Sequence, residues 1–379
     1  MWKYRSLLLK RRHRTVLCLL VISILTMFIN NGCDSRDPGS KSVSGSGFYF
    51  DTVVSFTVYG TQSNAIINEL MDECAGYEKI FSATDSESEL YKLNHGETSE
   101  VSKDLYQCIS RALEYCRLLD GRYDISIRPV SELWNFQNGE NKIPSNNEIE
   151  EALKNVDYKS IRLLGRVGDN NLNGGDSSQE GKDEADNDRY RIEIPEGMMI
   201  DLGSAAKGYI GDRLCEYLKS KGYRSAVLSL GGNVQCLGEK PAGKTTDDNG
   251  YFKIAIKSPF EDDSSNSGYA AVMKVKNRAV VTSGIYERSF EKDGILYHHI
   301  LDTKTGFPIE TDLVSVTILC NSGIDADILS TACFIAGYED TLEILKMSSE
   351  IDTVGGFEAE FIYKDGSVKL TNGFEDYID

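Results

Sequence analysis

Neither a zinc centre nor a dithiol redox pair can be built from local spacing in these 379 residues, because no C-x-x-C pair occurs and none of the four histidines stands at zinc-ligand spacing. Positive charge is also scarce. Before Cys33 the chain carries six Lys or Arg and no acid; taking those six from the total of 41 leaves 35 against 59 acids, a net of −24 for the remainder. Such a field repels a nucleic-acid backbone and an anionic membrane surface, so no nucleic-acid partner is expected. An anionic small ligand would need a metal ion or backbone donors to offset it. No repeat of fixed period appears, which excludes a solenoid. The apolar run "TVLCLLVISILTMFI" has fifteen residues, short of the roughly 18 to 20 that span a bilayer comfortably.

That run follows the basic stretch "MWKYRSLLLKRRHR", so residues 1–32 read as an export signal. The segment closes on "NNGC", which resembles the end of a bacterial lipobox, with Asn30 where Leu is usual. Cys33 would then carry the lipid and become the mature N-terminus, exported and anchored on the outer side of the cytoplasmic membrane. Residues 33–47, rich in Ser and Gly, read as a flexible tether. The alternative is an uncleaved signal anchor. Beyond Cys18 and Cys33, seven cysteines remain, at 74, 108, 116, 215, 236, 320 and 333, and most fall on apolar faces that suggest buried thiols.

From residue 48 to 379 the chain reads as one globular unit. "FYFDTVVSFTVYG" is a strand candidate by alternation, and residues 63–81 and 102–121 carry helical spacing, the second opened by Ser102 and closed by Gly121. Residues 165–188 contain almost nothing apolar and read as a solvated acidic insertion between strands. Hairpin signals outnumber regular strand–helix alternation. The expected fold class is therefore α+β, with mixed or antiparallel sheets flanked by helices in two similar halves.

Three blocks carry chemistry. In "MMIDLGSAAKGYIGDRLCEYLKSKGYRSAVLSLGGN" a strand, a Gly turn, a helix, a strand and a second Gly turn follow one another. Such an arrangement offers backbone N–H groups to an anion, or is simply a tight turn with a capping glycine. It matches neither the Walker loop nor the three-glycine dinucleotide fingerprint. "GILYHHILDTKTGFP" delivers His298 and His299 to opposite faces of one strand, so at most one of them serves a given pocket as base or anion donor. In "IDADILSTACFIAGYED" Asp325 and Asp327 open a helix, either as charges favoured at its N-terminus or, through Asp327 and Thr331 one turn later, as donors to a hard cation.

The phrases "DLGSAAKGY", "SLGGN", "TSGIYER", "HHILDTKTGFP" and "DADILSTA", together with the earlier "GRYDISIRPVSELWNF", resemble in order and wording the ApbE-type FAD:protein FMN transferases. The resemblance spans roughly residues 48 to 365. It implies an enzyme that splits FAD, joins FMN through a phosphoester to a Thr or Ser of an acceptor flavoprotein, and releases AMP. It also implies a Mg²⁺ site made by the Ser204 carbonyl, Asp327 and Thr331, with FAD contacts at Phe50, Tyr123, Asp124, Asp201, Lys207 and Ile300, and His299 assisting the acceptor hydroxyl. Thr84 stands where the family often has an aromatic, and Phe50 where Met is frequent. The competing readings are FAD hydrolysis to FMN and AMP in the same pocket, and a lipid-anchored protein that binds FAD without turnover.

Overall fold

The computed structural model describes residues 41–136, 141–168, 188–242, 250–260, 268–350 and 356–379. The signal segment, residues 33–40 and residues 169–187 of the acidic insertion lie outside the described residues. The hairpin of β1 (Ser42–Tyr49) and β2 (Thr52–Tyr59) leads to α1 (Ala65–Phe81), α2 (Glu89–Asn94), α3 (Lys103–Leu118), α4 (Arg128–Trp134) and α5 (Asn146–Leu153). Interspersed with them is a small sheet of β3 (Glu100–Ser102), β4 (Arg162–Arg166) and β5 (Arg189–Glu193), and the acidic insertion joins β4 to its neighbour β5. Then come α6 (Ala206–Ser220), β6 (Ser225–Leu230), β7 (Asn233–Gly238), and the ribbon of β8 (Phe252–Lys257) and β9 (Tyr269–Val275). The chain continues through β10 (Ala279–Gly284), the hairpin of β11 (Ser289–Lys292) and β12 (Ile295–His298), and β13 (Leu313–Cys320). It ends with α7 (Gly323–Glu350), interrupted at Gly337 (φ 75°, ψ 176°), then β14 (Glu358–Tyr363) and β15 (Val368–Leu370).

Eight of these strands form one antiparallel sheet in the order β1-β2-β6-β7-β10-β13-β14-β15. It divides into two quartets. In each, the link from the second strand to the third carries a helix, α6 in the first and α7 in the second, and both bury Ile and Leu in the same core. These are the two similar halves that the sequence suggests. The opposite face is covered over its centre by the β8–β9 ribbon, whose Phe252, Ile254 and Ile256 pack with Val280 and Leu319. Sandwiched between both layers, all of β13 is buried, which explains why it is apolar except for Ser315 and Thr317.

Local chemistry sets the element ends. Ser102 accepts a hydrogen bond from the Leu105 N–H and starts α3, while Gly121 at φ 75° lets its N–H reach the Cys116 carbonyl at 2.9 Å and stop it. Two expectations need correction. The strand expected over "FYFDTVVSFTVYG" is a hairpin with Phe50 (φ 54°) and Asp51 (φ 57°) at its turn, the Phe50 N–H bonded to Glu78 Oε1 at 2.9 Å. Residues 42–47, expected in the tether, instead belong to β1. Their glycines are needed for packing: a Cβ at Gly45 would strike Ile67 of α1, and one at Gly47 would lie 3.0 Å from Met71 Sδ. The seven described cysteines are all buried.

Two acids lie deep in this scaffold. Asp325, at the start of α7, is gripped by Arg111 of α3 at 2.7 Å, with 3% and 16% of the side chains exposed. Removing one partner of such a pair typically costs about 3–5 kcal/mol. Glu360 of β14 has no such cation. It lies opposite Thr317, which in turn pairs with Thr282 through hydroxyls 2.9 Å apart, and its Oε2 has no hydrogen-bond partner. Desolvation pushes its carboxyl up to about 7, against a hydrogen bond from Thr317. A carboxyl raised on folding stabilises fully below its unfolded value of 4.5, and that contribution is lost as pH rises through about 7. Replacing Glu360 by Gln should therefore leave stability little changed near pH 4.5 and raise it by up to about 3 kcal/mol at pH 8. Urea denaturation at the two pH values checks this, and equal gains at both would contradict it.

Candidate active site

The site is organised where the first turns of α6 and α7 touch. A Cβ at Gly208 of α6 would collide with the Gly323 carbonyl and lie 2.7 Å from Asp327 Cβ, and one at Gly323 would lie 2.6 Å from the Gly208 oxygen. Two glycines thus let backbone meet backbone. Asp212, one turn along α6, accepts from the Gly323 N–H at 2.9 Å and the Ile324 N–H at 3.0 Å, so it caps α7 from across the crossing. Burial raises its carboxyl above the usual range, offset by those two N–H bonds and by Gln235.

The crossing has a chemical result. The Gly208 N–H points at Asp327 Oδ2, 2.9 Å away, instead of at the carbonyl four residues back. That carbonyl belongs to Ser204, and among the described hydrogen bonds it receives no backbone donor. Thr331, one turn beyond Asp327 on the same helix, is half-buried and lies 3.3 Å from Ser283 Oγ of β10. A main-chain carbonyl, a carboxylate and a hydroxyl are hard oxygen donors of the kind that suits Mg²⁺. The residues present therefore fit a hard divalent cation, although among the described residues no cluster of three His, Cys, Asp or Glu is found, since two of the three donors are of other types.

Around these donors lie the cations. Lys207 bonds back to the Gly203 carbonyl at 3.0 Å; Ala205 gives α6 no side-chain cap of its own, but the Ala206 N–H is taken by the Leu202 carbonyl at 2.8 Å and the Gly208 N–H by Asp327. Asp201 is held by the Gly203 N–H at 2.9 Å and the Ser131 hydroxyl at 2.9 Å, which ties the turn to α4. Ser204 Oγ pairs with the buried Tyr123 hydroxyl at 3.1 Å. Glu287 stands exposed beside Gly232; desolvation raises its carboxyl, Lys207 and Arg288 lower it, and Asp327 raises it. The charges it feels put Lys207, Arg288 and Asp327 in its neighbourhood.

The two histidines separate as strand alternation requires. His298 is buried, its ring 6.2 Å from that of Phe334, and its Nδ1 has no partner. His299 is half-buried, and its Nδ1 lies 3.3 Å from the Arg288 carbonyl. A carbonyl only accepts, so Nδ1 carries the proton and Nε2 keeps its lone pair. Desolvation, then the charge of Arg288, holds the imidazole down to about 4, with Lys207 adding to the effect. His299 is therefore neutral at pH 7.

Not every expected residue joins the cluster. The Asp124 carboxylate is turned inward: Oδ1 accepts from the Ser126 N–H and hydroxyl at 2.8 and 2.6 Å, and Oδ2 from the Tyr158 N–H at 3.2 Å. Ile300 is buried in the core, its carbonyl bonded to the Ile309 N–H. Phe50 sits in the β1–β2 turn, near Thr52, which lies against Gly231. Asp325, paired with Arg111, is taken out of any metal role. Ser283, Ser330, Ser131 and Arg288 were not anticipated. Gly208 left a trace in the sequence as a glycine inside a helical pattern, the signature of close packing.

The family model described as the ApbE family matches residues 50–354. The chain belongs to the ApbE family. The FAD:protein FMN transferase of Treponema pallidum is 31% identical over 321 residues, covering 83% of this chain and 82% of that one. The FAD:protein FMN transferase of Klebsiella pneumoniae is 29% identical, covering 78% and 83%. Among solved structures, the ApbE protein of Thermotoga maritima matches at TM-score 0.72 and 30% identity, over 89% of this chain and all of that one. In this ApbE-family chain the α6–α7 contact makes its own prediction. Gly208→Ala should push the helices apart and cost at least about 2 kcal/mol, read as a lower urea midpoint; an unchanged midpoint would mean the crossing is not so tight.

Proposed function

We propose that this chain is a metal-dependent FAD:protein FMN transferase. The observation that carries the reading is the diverted Gly208 N–H, which leaves the Ser204 carbonyl open beside the Asp327 carboxylate and Thr331. The names of its relatives support the same chemistry. Mg²⁺, held by these three donors, would supply charge neutralisation at the pyrophosphate. Lys207 adds fixed positive charge for the same anion. His299 Nε2, neutral and oriented by the Arg288 carbonyl, takes the proton of an acceptor Thr or Ser hydroxyl. The hydroxyl oxygen forms a bond to the FMN phosphorus, the bond to the bridging oxygen breaks, and AMP leaves with that electron pair.

Positioning is the protein's main task in such a transfer. Tyr123 and Asp201 are fixed by hydrogen bonds to the same turn that bears Ser204 and Lys207, so the turn is held before substrate arrives. Replacing Asp327 by Ala should abolish metal-dependent labelling of an acceptor domain by FAD, followed as a flavin-fluorescent band, with a near-native circular dichroism spectrum. Normal labelling by that variant would remove the site assignment. Free FMN and AMP with no labelled acceptor in the parent protein would mean that water, not a protein hydroxyl, is the acceptor.

The same proposal extends to location: export, with a lipid on Cys33 holding the catalytic unit at the outer side of the cytoplasmic membrane. It rests on the basic and apolar order of residues 1–32 ahead of Gly32-Cys33. Among the described residues no helix is long and apolar enough to cross a membrane. Cys33→Ala should move the protein from the membrane fraction to the soluble fraction of cells; continued sedimentation with membranes would contradict lipidation at that residue.

A further inference from the structure

Behind the proposed metal donors lie two hydroxyls, those of Ser283 and Ser330, to which the reaction assigns no part. Ser283, on the helix-facing side of β10, has its Oγ 2.7 Å from Ser330 Oγ and 3.3 Å from Thr331 Oγ1. Ser330, fully buried, donates in turn to the Asp327 carbonyl at 2.8 Å. These distances fix where each proton goes. A carbonyl only accepts, so the Ser330 proton is spent on Asp327. The short Ser283–Ser330 contact then needs a proton from Ser283; without it two oxygen lone pairs would face each other. With its own proton committed, Ser283 can meet Thr331 only as acceptor. The Thr331 hydroxyl proton is therefore drawn toward the sheet, and its lone pairs are left for the side shared with Asp327.

We infer that Ser283 is a positioning residue that holds the Thr331 hydroxyl in the orientation in which it can serve as an oxygen ligand. This inference rests on the metal reading of the site given above. Left alone, a threonine in a helix tends to bond back to the carbonyl four residues earlier; here that carbonyl is Asp327's, already taken by Ser330. Ser283 and Ser330 together remove both distractions, one by occupying the carbonyl and the other by receiving the proton. The arrangement resembles the outer partners that orient metal ligands generally, whose loss costs about 10–100-fold in metal affinity.

The test uses Mn²⁺ as a paramagnetic probe, with FAD present, measuring free ion by electron paramagnetic resonance against the purified chain. Ser283→Ala is expected to bind Mn²⁺ about tenfold more weakly than the parent, and Ser283→Thr, which keeps the hydroxyl, to restore most of the affinity. Melting curves without metal check that the variants are folded. If Ser283→Ala does not fold, Ser330→Ala answers the same question, because it frees the Ser283 proton to turn on Thr331 and should weaken binding in the same direction. Unchanged affinity in the folded alanine variant, or a loss that threonine fails to restore, overturns the role of Ser283 while the metal site stands. No saturable binding by the parent chain, or binding unaffected by Asp327→Asn, overturns the metal reading and this inference with it.

Discussion

The contact between Gly208 and Gly323 is the constraint from which the rest of the site follows. Two helices rarely approach backbone to backbone in water-soluble cores, because side chains keep their axes 8–10 Å apart. Here the absence of two Cβ atoms lets the first turn of α6 lie on the first turn of α7. Once they touch, the Asp327 carboxylate becomes a nearer acceptor for the Gly208 N–H than the Ser204 carbonyl, and one peptide hydrogen bond is exchanged for another. The charged acceptor makes the new bond stronger than the one lost, which offsets the cost of leaving the Ser204 carbonyl without that donor. The structural effect of the exchange is large: it frees a carbonyl at the point where a carboxylate and a hydroxyl are already fixed.

The same crossing sorts the two acids that open α7. Asp325 and Asp327 are two residues apart, about 200° around a helix, so they cannot serve one ligand. Asp325 turns to Arg111 and becomes part of the scaffold, while Asp327 turns to α6. Asp212 meanwhile supplies the cap that either of them was expected to provide. Three carboxylates near one helix mouth thus have three separate partners, which limits their mutual repulsion in a strongly acidic chain.

Much of this was legible in the sequence where the signal is local. The ends of α3 at Ser102 and Gly121 and the placing of His298 and His299 on opposite faces follow from cap chemistry, positive φ and strand period. The pairing of Asp327 with Thr331 on one helical face was equally plain. What could not be seen depends on distant partners. Arg111 lies 214 residues from Asp325, and nothing near either announces the other. Residues 42–47 look like a linker because Ser and Gly dominate them, and only Ile67 and Met71 of α1, lying over them, show why small residues form a strand there. The Phe50–Asp51 turn lacks the Asn-Gly signal that usually marks such geometry, and the Asp124 carboxylate was drawn to Ser126 and Tyr158 by hydrogen bonds no spacing rule encodes.

The charges around His299 tie the proposed chemistry together. A chain with this acid excess must gather positive potential locally if it is to hold a pyrophosphate, and Lys207 and Arg288 supply it. Cations near an imidazole normally work against catalysis by an acid, because they discourage protonation. For a base the same field is useful. After desolvation, the charges of Arg288 and Lys207 are what hold His299 to about 4, so the groups suited to binding the anion also keep the proton acceptor empty. A lower pKa makes His299 a weaker base, which is tolerable only if the hydroxyl proton is released late, as the bond to phosphorus forms and the oxygen becomes acidic. In the proposed reaction such a base suits a transfer in which the hydroxyl proton leaves late, as its oxygen bonds to phosphorus.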